Sequence, residues 1–315
     1  MSKQDAGRLH RFHARWPVGF LVVLLGCAAC VSGPPKKPDG FGVLVMAHGG
    51  SPSWNAQVLE AIEPLKSHHD IEVAFGMADP AAMEQGIRNL EARGARRIGV
   101  VRLFVSGESF RHRTEQILGL APGAPPKPEH LDHAAHSHGT GHDMSLWRIE
   151  SDATFVLSEP GLLEAPAMGQ VLAERARALS RQPSEEDVLI LAHGPADDEE
   201  NARWLEHLEA RANAVRQALP FRRVQVDTLR EDWPAKRVEA QRRVRSFVER
   251  ATREGGRALV IPFRVQGFGP YAKVLEGLDY VSDGRGLIPH PNVTAWIEER
   301  IAELEERSRT RARAP

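Results

Sequence analysis

An apolar run that stops at a histidine occurs twice in this chain, and it limits the fold more than any other feature. Val43-Leu44-Val45-Met46-Ala47 leads into His48-Gly49-Gly50-Ser51. Val188-Leu189-Ile190-Leu191-Ala192 leads into His193-Gly194-Pro195. Runs this short and this apolar fit parallel strands covered by helices on both faces. The repetition predicts two copies of one α/β unit. Each copy presents a histidine at the carboxyl end of its first strand, where open α/β sheets place their sites.

The segments around the repeat alternate as that reading requires. In the first copy, strands are predicted at 41–47, 71–76, 97–105 and 152–157, and helices at 52–66, 79–94, 110–118 and 164–179. Asp79-Pro80 supplies the N-cap and N1 signals of the second helix. In the second copy, strands fall at 188–192, 223–229, 257–263 and 286–289, and helices at 197–219, 234–253, 270–278 and 293–305. Strand–helix alternation implies parallel sheets with right-handed crossovers. The expected fold class is α/β, as two tandem domains, each a small parallel sheet flanked by helices. The expected bounds are 41–180 and 187–305, with a frayed tail over 306–315.

The first thirty residues read as an export signal, outside the fold. Lys3, Arg8, Arg11 and Arg15 form a basic front, and Val18 to Leu25 is an apolar run too short to span a bilayer as a stable helix. Leu24-Leu25-Gly26-Cys27 resembles the bacterial lipobox, which implies cleavage before Cys27 and lipidation of its thiol. An uncleaved anchor or a plain secretory signal is the alternative. Residues 31–40, with Pro34, Pro35 and Pro38, read as a stiff tether. The folded part is therefore expected in the cell envelope, anchored to the membrane by lipid and facing the periplasm or exterior. Cys27 and Cys30 are the only cysteines, so the fold has neither a disulfide framework nor a thiolate metal site. The net charge of −1 gives no electrostatic case for a nucleic-acid partner.

His48 follows a buried strand and precedes glycines that let a ligand approach, so its imidazole suits a borderline metal or proton transfer near neutral pH. The third strand ends in Arg102-Leu103-Phe104-Val105-Ser106 and passes through Gly107 to Ser109 into a helix at the same sheet edge. His112 and Glu115, three apart, share a face of that helix. His48, His112 and Glu115 thus form a candidate divalent-metal site, with Arg111 and Arg113 placed for carboxylate-bearing ligands.

These residues carry a family resemblance. The glycine-serine turn after His48, the Leu103–Ser106 strand end and the His112-x-x-Glu115-x-Ile117 helix resemble the class II chelatases, the sirohydrochlorin chelatases of the CbiX type, in their two-domain form. Gly286-Leu287-Ile288-Pro289-His290-Pro291 also looks like that family's C-terminal pattern. The resemblance covers about 41–120 and 186–303. It implies a lyase of tetrapyrrole (cobalamin-type) synthesis that inserts Co²⁺, Fe²⁺ or Ni²⁺ into a sirohydrochlorin-type tetrapyrrole, with the metal as substrate and no nucleotide. His48 and His112 would bind metal and accept pyrrole protons, Glu115 would assist, and Ser51, Arg111 and Arg113 would contact the macrocycle. The chain departs from the pattern where Arg102 replaces a proline and where the Gly107–Arg111 turn is longer. The second copy keeps His193, but Pro262 to Lys273 contains no partner histidine, so a single site in the first half is expected.

Between the third and fourth strands, 121–144 is proline-rich and then holds His130, His133, His136, His138 and His142. That density suits an accessory metal-binding loop for Ni²⁺, Co²⁺, Cu²⁺ or Zn²⁺. Together with the export signal, it supports a second reading. In that reading the chain is a non-catalytic envelope lipoprotein that binds or delivers metal or tetrapyrrole on the same fold.

Overall fold

The computed structural model describes residues 40–129 and 145–313. Cys27 and the five loop histidines His130, His133, His136, His138 and His142 lie outside the described residues. The first half comprises β1 (Phe41–Ala47), α1 (Pro52–Ile62), a 3₁₀ turn over Glu63–Ser67, β2 (Ile71–Phe75), α2 (Pro80–Ala92), β3 (Arg97–Leu103), α3 (Arg111–Ile117), β4 (Thr154–Leu157) and α4 (Ala167–Leu179). The second comprises β5 (Glu186–Ala192), α5 (Asp198–Ala218), β6 (Arg223–Thr228), α6 (Pro234–Arg253), β7 (Arg257–Phe263), the short α7 (Tyr271–Val274) and α8 (Pro291–Arg313). Every strand pair is parallel, in the orders β2-β1-β3-β4 and β6-β5-β7. The protein is an α/β protein with two parallel sheets, of four and three strands, flanked by helices.

The helix starts follow from their caps. Asp79 accepts the Ala81 N–H at 2.8 Å ahead of Pro80, and Asp197 accepts the Glu200 N–H at 2.8 Å. Each satisfies an amide that the first turn leaves unpaired.

Alternation along the strands sorts the apolar side chains into layers. Val43, Val45 and Ala47 of β1 and Val188, Ile190 and Ala192 of β5 belong to one shared core. Leu44 and Met46 face a separate cluster with α2 and α3, and Leu189 and Leu191 face a third with α6. The two sheets therefore share one interior, and each has a cluster of its own on its other face.

Two helices cross over to make that interior. α4, which follows the first sheet in sequence, packs on α5 and β7 of the second half. α8, the last element, packs on β3, β4 and α1 of the first. Thr294 Oγ1 donates to the Ala61 carbonyl at 2.8 Å, and Leu304 seats against Gly99, where an added Cβ would come within 3.1 Å of its own. The α8 helix also closes the free edge of β4. Arg307 donates to Leu157 O at 3.0 Å and Arg311 to Phe155 O at 3.3 Å. Two residues of strand advance about 6.6 Å and four residues of helix about 6 Å, so the spacings match. The guanidinium groups cover carbonyls that an edge strand leaves exposed.

Two expectations are corrected here. Gly286 to Pro289 is not a strand. Pro289 and Pro291 cannot donate to a ladder. The segment is tied instead by Leu287 N–H to Arg264 O at 2.8 Å and Ile288 N–H to Val265 O at 2.9 Å. And the chain past residue 306 does not fray: α8 runs through Arg313, with Ser308 buried and accepting from Arg97 at 2.9 Å.

At the start of β5, Asp187 is fully buried and accepts from Arg222 and Arg223. Burial alone raises its pKa, but the hydrogen bonds and charge of both guanidinium groups outweigh that and hold it below the usual carboxylate value. A depressed carboxylate contributes stability above its unfolded pKa and loses it as pH falls through the folded one. The urea midpoint should therefore drop as pH falls below about 4. Asp187→Asn should cost about 2 kcal/mol at neutral pH, because a buried acceptor loses its charge-assisted hydrogen bonds to two partly exposed guanidinium groups, and should flatten the acid slope. An unchanged slope would show that Asp187 does not set it.

Candidate functional site

The register places both histidines at equivalent heights. Ala47 pairs with Leu103, and Ala192 with Phe263, so His48 and His193 each leave the sheet level with the end of a neighbouring strand. Both are followed by a glycine in the left-handed region, Gly49 at φ 78° and Gly194 at φ 79°. A side chain at Gly49 would also press on Phe75 and Gly76, and one at Gly194 on Thr228.

The turn fixes each imidazole in the same way. His48 Nδ1 lies 2.8 Å from Gly49 O, and His193 Nδ1 lies 2.7 Å from Gly194 O. A carbonyl can only accept, so Nδ1 carries the proton and a neutral ring keeps its lone pair on Nε2. This second contact is the one that orients metal-ligating histidines. The His48 ring stands beside Trp54 and is exposed to solvent.

The other predicted residues divide. His112 and Glu115 come together, with Nδ1 to Oε2 at 4.0 Å, and Arg111 reaches Glu115 at 3.1 Å. Glu115 thus sits between a cation and an imidazole on one exposed helix face. Arg113 points elsewhere: it donates to Ala78 O at 3.1 Å and Ser145 O at 2.5 Å, tying the β2–α2 loop to the chain that resumes after the histidine-rich segment. Ser51 is the N-cap of α1, its Oγ accepting the Trp54 N–H at 3.2 Å. Among the described residues, no three His, Cys, Asp or Glu side chains converge to hold a metal ion, so His48, His112 and Glu115 do not close into a triad in this structure.

The turn between β3 and α3 is organised by Arg102. The residue is 1% exposed and has no carboxylate partner among the described residues. It donates instead to backbone carbonyls: Gly107 at 2.7 Å, Ser158 at 2.8 and 3.1 Å, Ser109 at 3.1 Å and Glu159 at 3.2 Å. Burial, reinforced by the charge of Arg111, lowers its pKa to about 10, and it stays cationic at neutral pH. Glu164 works from the other side, accepting the Gly161 N–H at 2.6 Å and the Gly107 N–H at 3.3 Å. This cage fixes the longer turn that precedes Arg111 and His112.

The second half holds polar groups that the sequence reading did not pick out. His193 lacks an imidazole partner, but its Nε2 lies 3.0 Å from Asp232 and 3.9 Å from Glu231. Glu231 also pairs with Arg264, whose guanidinium lies over the ring of buried Tyr271. Burial, followed by the charge of Glu231, raises the Tyr271 pKa well above its usual value. A sequence signal existed: Glu231-Asp232 and Arg264 follow strands at the same edge as His193.

No family model matches the chain, and no curated protein matches it. Among solved structures, it is similar to a multi-domain protein of Deinococcus radiodurans described as having structural similarity to chelatases plus two additional novel domains. The TM-score is 0.50 at 20% identity, over 84% of this chain and 55% of that one. The chain thus spans just over half of that protein's length, and the similarity shows a chelatase-like fold. Weaker matches are a solute-binding protein of an ABC transporter from Conexibacter woesei (TM-score 0.36, 18% identity, 75% of this chain and 65% of that one) and a periplasmic sugar-binding protein from Legionella pneumophila (TM-score 0.32, 17% identity, 75% of each chain).

Replacing Arg102 tests the cage. Arg102→Ala should cost about 3 kcal/mol in urea unfolding, because several buried carbonyls lose their donor. Arg102→Lys keeps the charge but not the planar fork. It should recover part of that loss while amide exchange at Gly107 to Phe110 still rises. Unaltered exchange there in both variants would contradict the cage.

Proposed function

We propose that this protein inserts a divalent metal, Co²⁺, Ni²⁺ or Fe²⁺, into a sirohydrochlorin-type tetrapyrrole. The observation that carries the reading is His48: an imidazole at the carboxyl end of a central strand of a chelatase-like fold, oriented by its own turn through Nδ1. The metal and the macrocycle are both substrates. Insertion requires the metal to shed water while two pyrrole N–H protons leave and the four ring nitrogens bond to the metal. His48 Nε2 holds the incoming metal. His112, with Glu115 at hand to balance its charge, accepts protons. Arg111 contributes positive charge toward the macrocycle's carboxylates. Arg113 and Ser51 act by holding the turns on either side, since their polar atoms already bond to the chain.

The histidine-rich segment is the proposed collecting point for metal. Ser145, just after that segment in sequence, is bonded to Arg113, next to His112 in α3. Such a segment and an export signal ending in Leu24-Leu25-Gly26-Cys27 favour a second reading, an envelope lipoprotein that binds or delivers metal or tetrapyrrole without catalysis. No helix among the described residues is long and apolar enough to cross a membrane; in both readings Cys27 is the proposed lipid anchor.

Cobalt insertion into sirohydrochlorin, followed by absorbance, separates the two readings. The wild-type protein should accelerate it. His48→Ala and His112→Ala should each lower kcat/KM by about a hundredfold or more, and His207→Ala should not. Tight metal binding with no acceleration would sink the enzyme reading and leave the second. Full activity in both active-site variants would place the chemistry elsewhere.

A further inference from the structure

A cavity of about 830 Å³ opens along the free edge of β4, between the turn after α3 and the end of α8. A hollow of about 320 Å³ shares Leu120 and Arg311 with it, and Arg111 and Glu115 line that hollow. The cavity floor is apolar, formed by Leu118, Ile149, Phe155 and Val156. Its rim carries four arginines against two carboxylates, Glu150 and Asp152. Two of the arginines are engaged: Arg96 bonds to Ala95 O at 3.0 Å, and Arg97 to Ser308 at 2.9 Å.

The other two have capacity left. Arg148 lays its stem across Gly119, where an added Cβ would meet its Cδ at 3.1 Å. Its guanidinium makes no ion pair or hydrogen bond with any described residue. Arg311 gives one bond, to Phe155 O at 3.3 Å, which leaves most of its five N–H donors available. A cavity of this size with an apolar floor and a few convergent polar groups has the form of a ligand site. Guanidinium forks select planar carboxylates, and the two acidic groups on the rim, with a net charge of −1 overall, disfavour a nucleic-acid backbone.

We infer that this groove binds an apolar-bodied polycarboxylate, with Arg148 and Arg311 receiving its carboxylates. The choice of a macrocycle as that ligand rests on the chelatase-like reading; the groove itself does not. Arg111 and Glu115 in the adjoining wall join it to the helix of His112. The C-terminal helix then has two uses: it seals the sheet edge and supplies half of the carboxylate contact.

The test is binding of uroporphyrin, an octacarboxylate macrocycle, to the full-length protein, read by quenching of tryptophan fluorescence. The dicarboxylate mesoporphyrin is the comparison. Arg148→Glu with Arg311→Glu should weaken uroporphyrin binding by about tenfold or more and change mesoporphyrin binding much less. Arg148→Glu alone removes a side chain without a partner and so leaves the fold intact; it should weaken uroporphyrin binding by about threefold or more. Arg242→Glu, on an exposed face of α6, should have no effect. Uroporphyrin binding unchanged in both groove variants would overturn the inference, as would equal losses for both macrocycles. Uroporphyrin binding unchanged in the groove variants, with cobalt insertion intact, would reject the groove while sparing the enzyme reading. A charge-dependent groove without insertion would do the reverse.

Discussion

A buried guanidinium met by backbone carbonyls holds the carboxyl-terminal edge of the first sheet together. Arg102 leaves β3 and is met by carbonyls of the turn that follows it and of the chain just after β4. Desolvating a full charge is costly, and here four residues' carbonyl dipoles offset that cost. Because each of those carbonyls is itself buried or partly buried, the cation and the two loops stabilise one another. Arg111 and His112 inherit their positions from this arrangement. A proline at 102 could not provide it, having neither the side-chain donors nor the backbone N–H that meets Ser158 Oγ.

The shared interior extends the same dependence to the whole molecule. Each sheet has a helix on its inner face contributed by the other half, so neither half buries its apolar strands alone. Arg175 on α4 shows how tightly the exchange is made: it bonds to Gly286 O at 2.8 Å and to Asp283 at 3.1 Å, in the chain leading to α8. The duplicated strand endings sit on this single body. Comparison of the two His–Gly turns shows identical local chemistry with different neighbours. Each ring stands beside an indole, Trp54 or Trp233; His48 is exposed to solvent, whereas His193 also faces Asp232 and Glu231. Any division of labour between the halves arises in those neighbours.

What the sequence revealed was what its local physics determines. β1 ran from Phe41 to Ala47 and β7 from Arg257 to Phe263 as read, because continuous apolar runs bounded by polar residues leave few alternatives. α6 began at Pro234 and ended at Arg253, where proline at N1 and Gly255 beyond the end mark both limits. The exchange of α4 and α8 was not legible. An amphipathic helix states that it needs an apolar partner, not which one. The reading of 306–315 as a frayed tail failed for the same reason: Arg307 and Arg311 look like solvated charge until the edge of β4 is beside them. Arg113 and Ser51 were assigned by position alone, and their hydrogen-bond partners lie on loops whose approach no pattern encodes.

The placement of α8 also governs the order of assembly. A chain emerging from its N-terminus makes β1 to β4 long before Pro291 to Arg313 exist, so the inner face of the first sheet waits through most of synthesis for its cover. The bond from Arg97 to Ser308 spans 211 residues, and contacts of that separation are slow to form. The first half cannot finish folding ahead of the second. A chain cut short anywhere before its last helix would expose an open sheet, which suits recognition by quality control better than survival as a half-built protein.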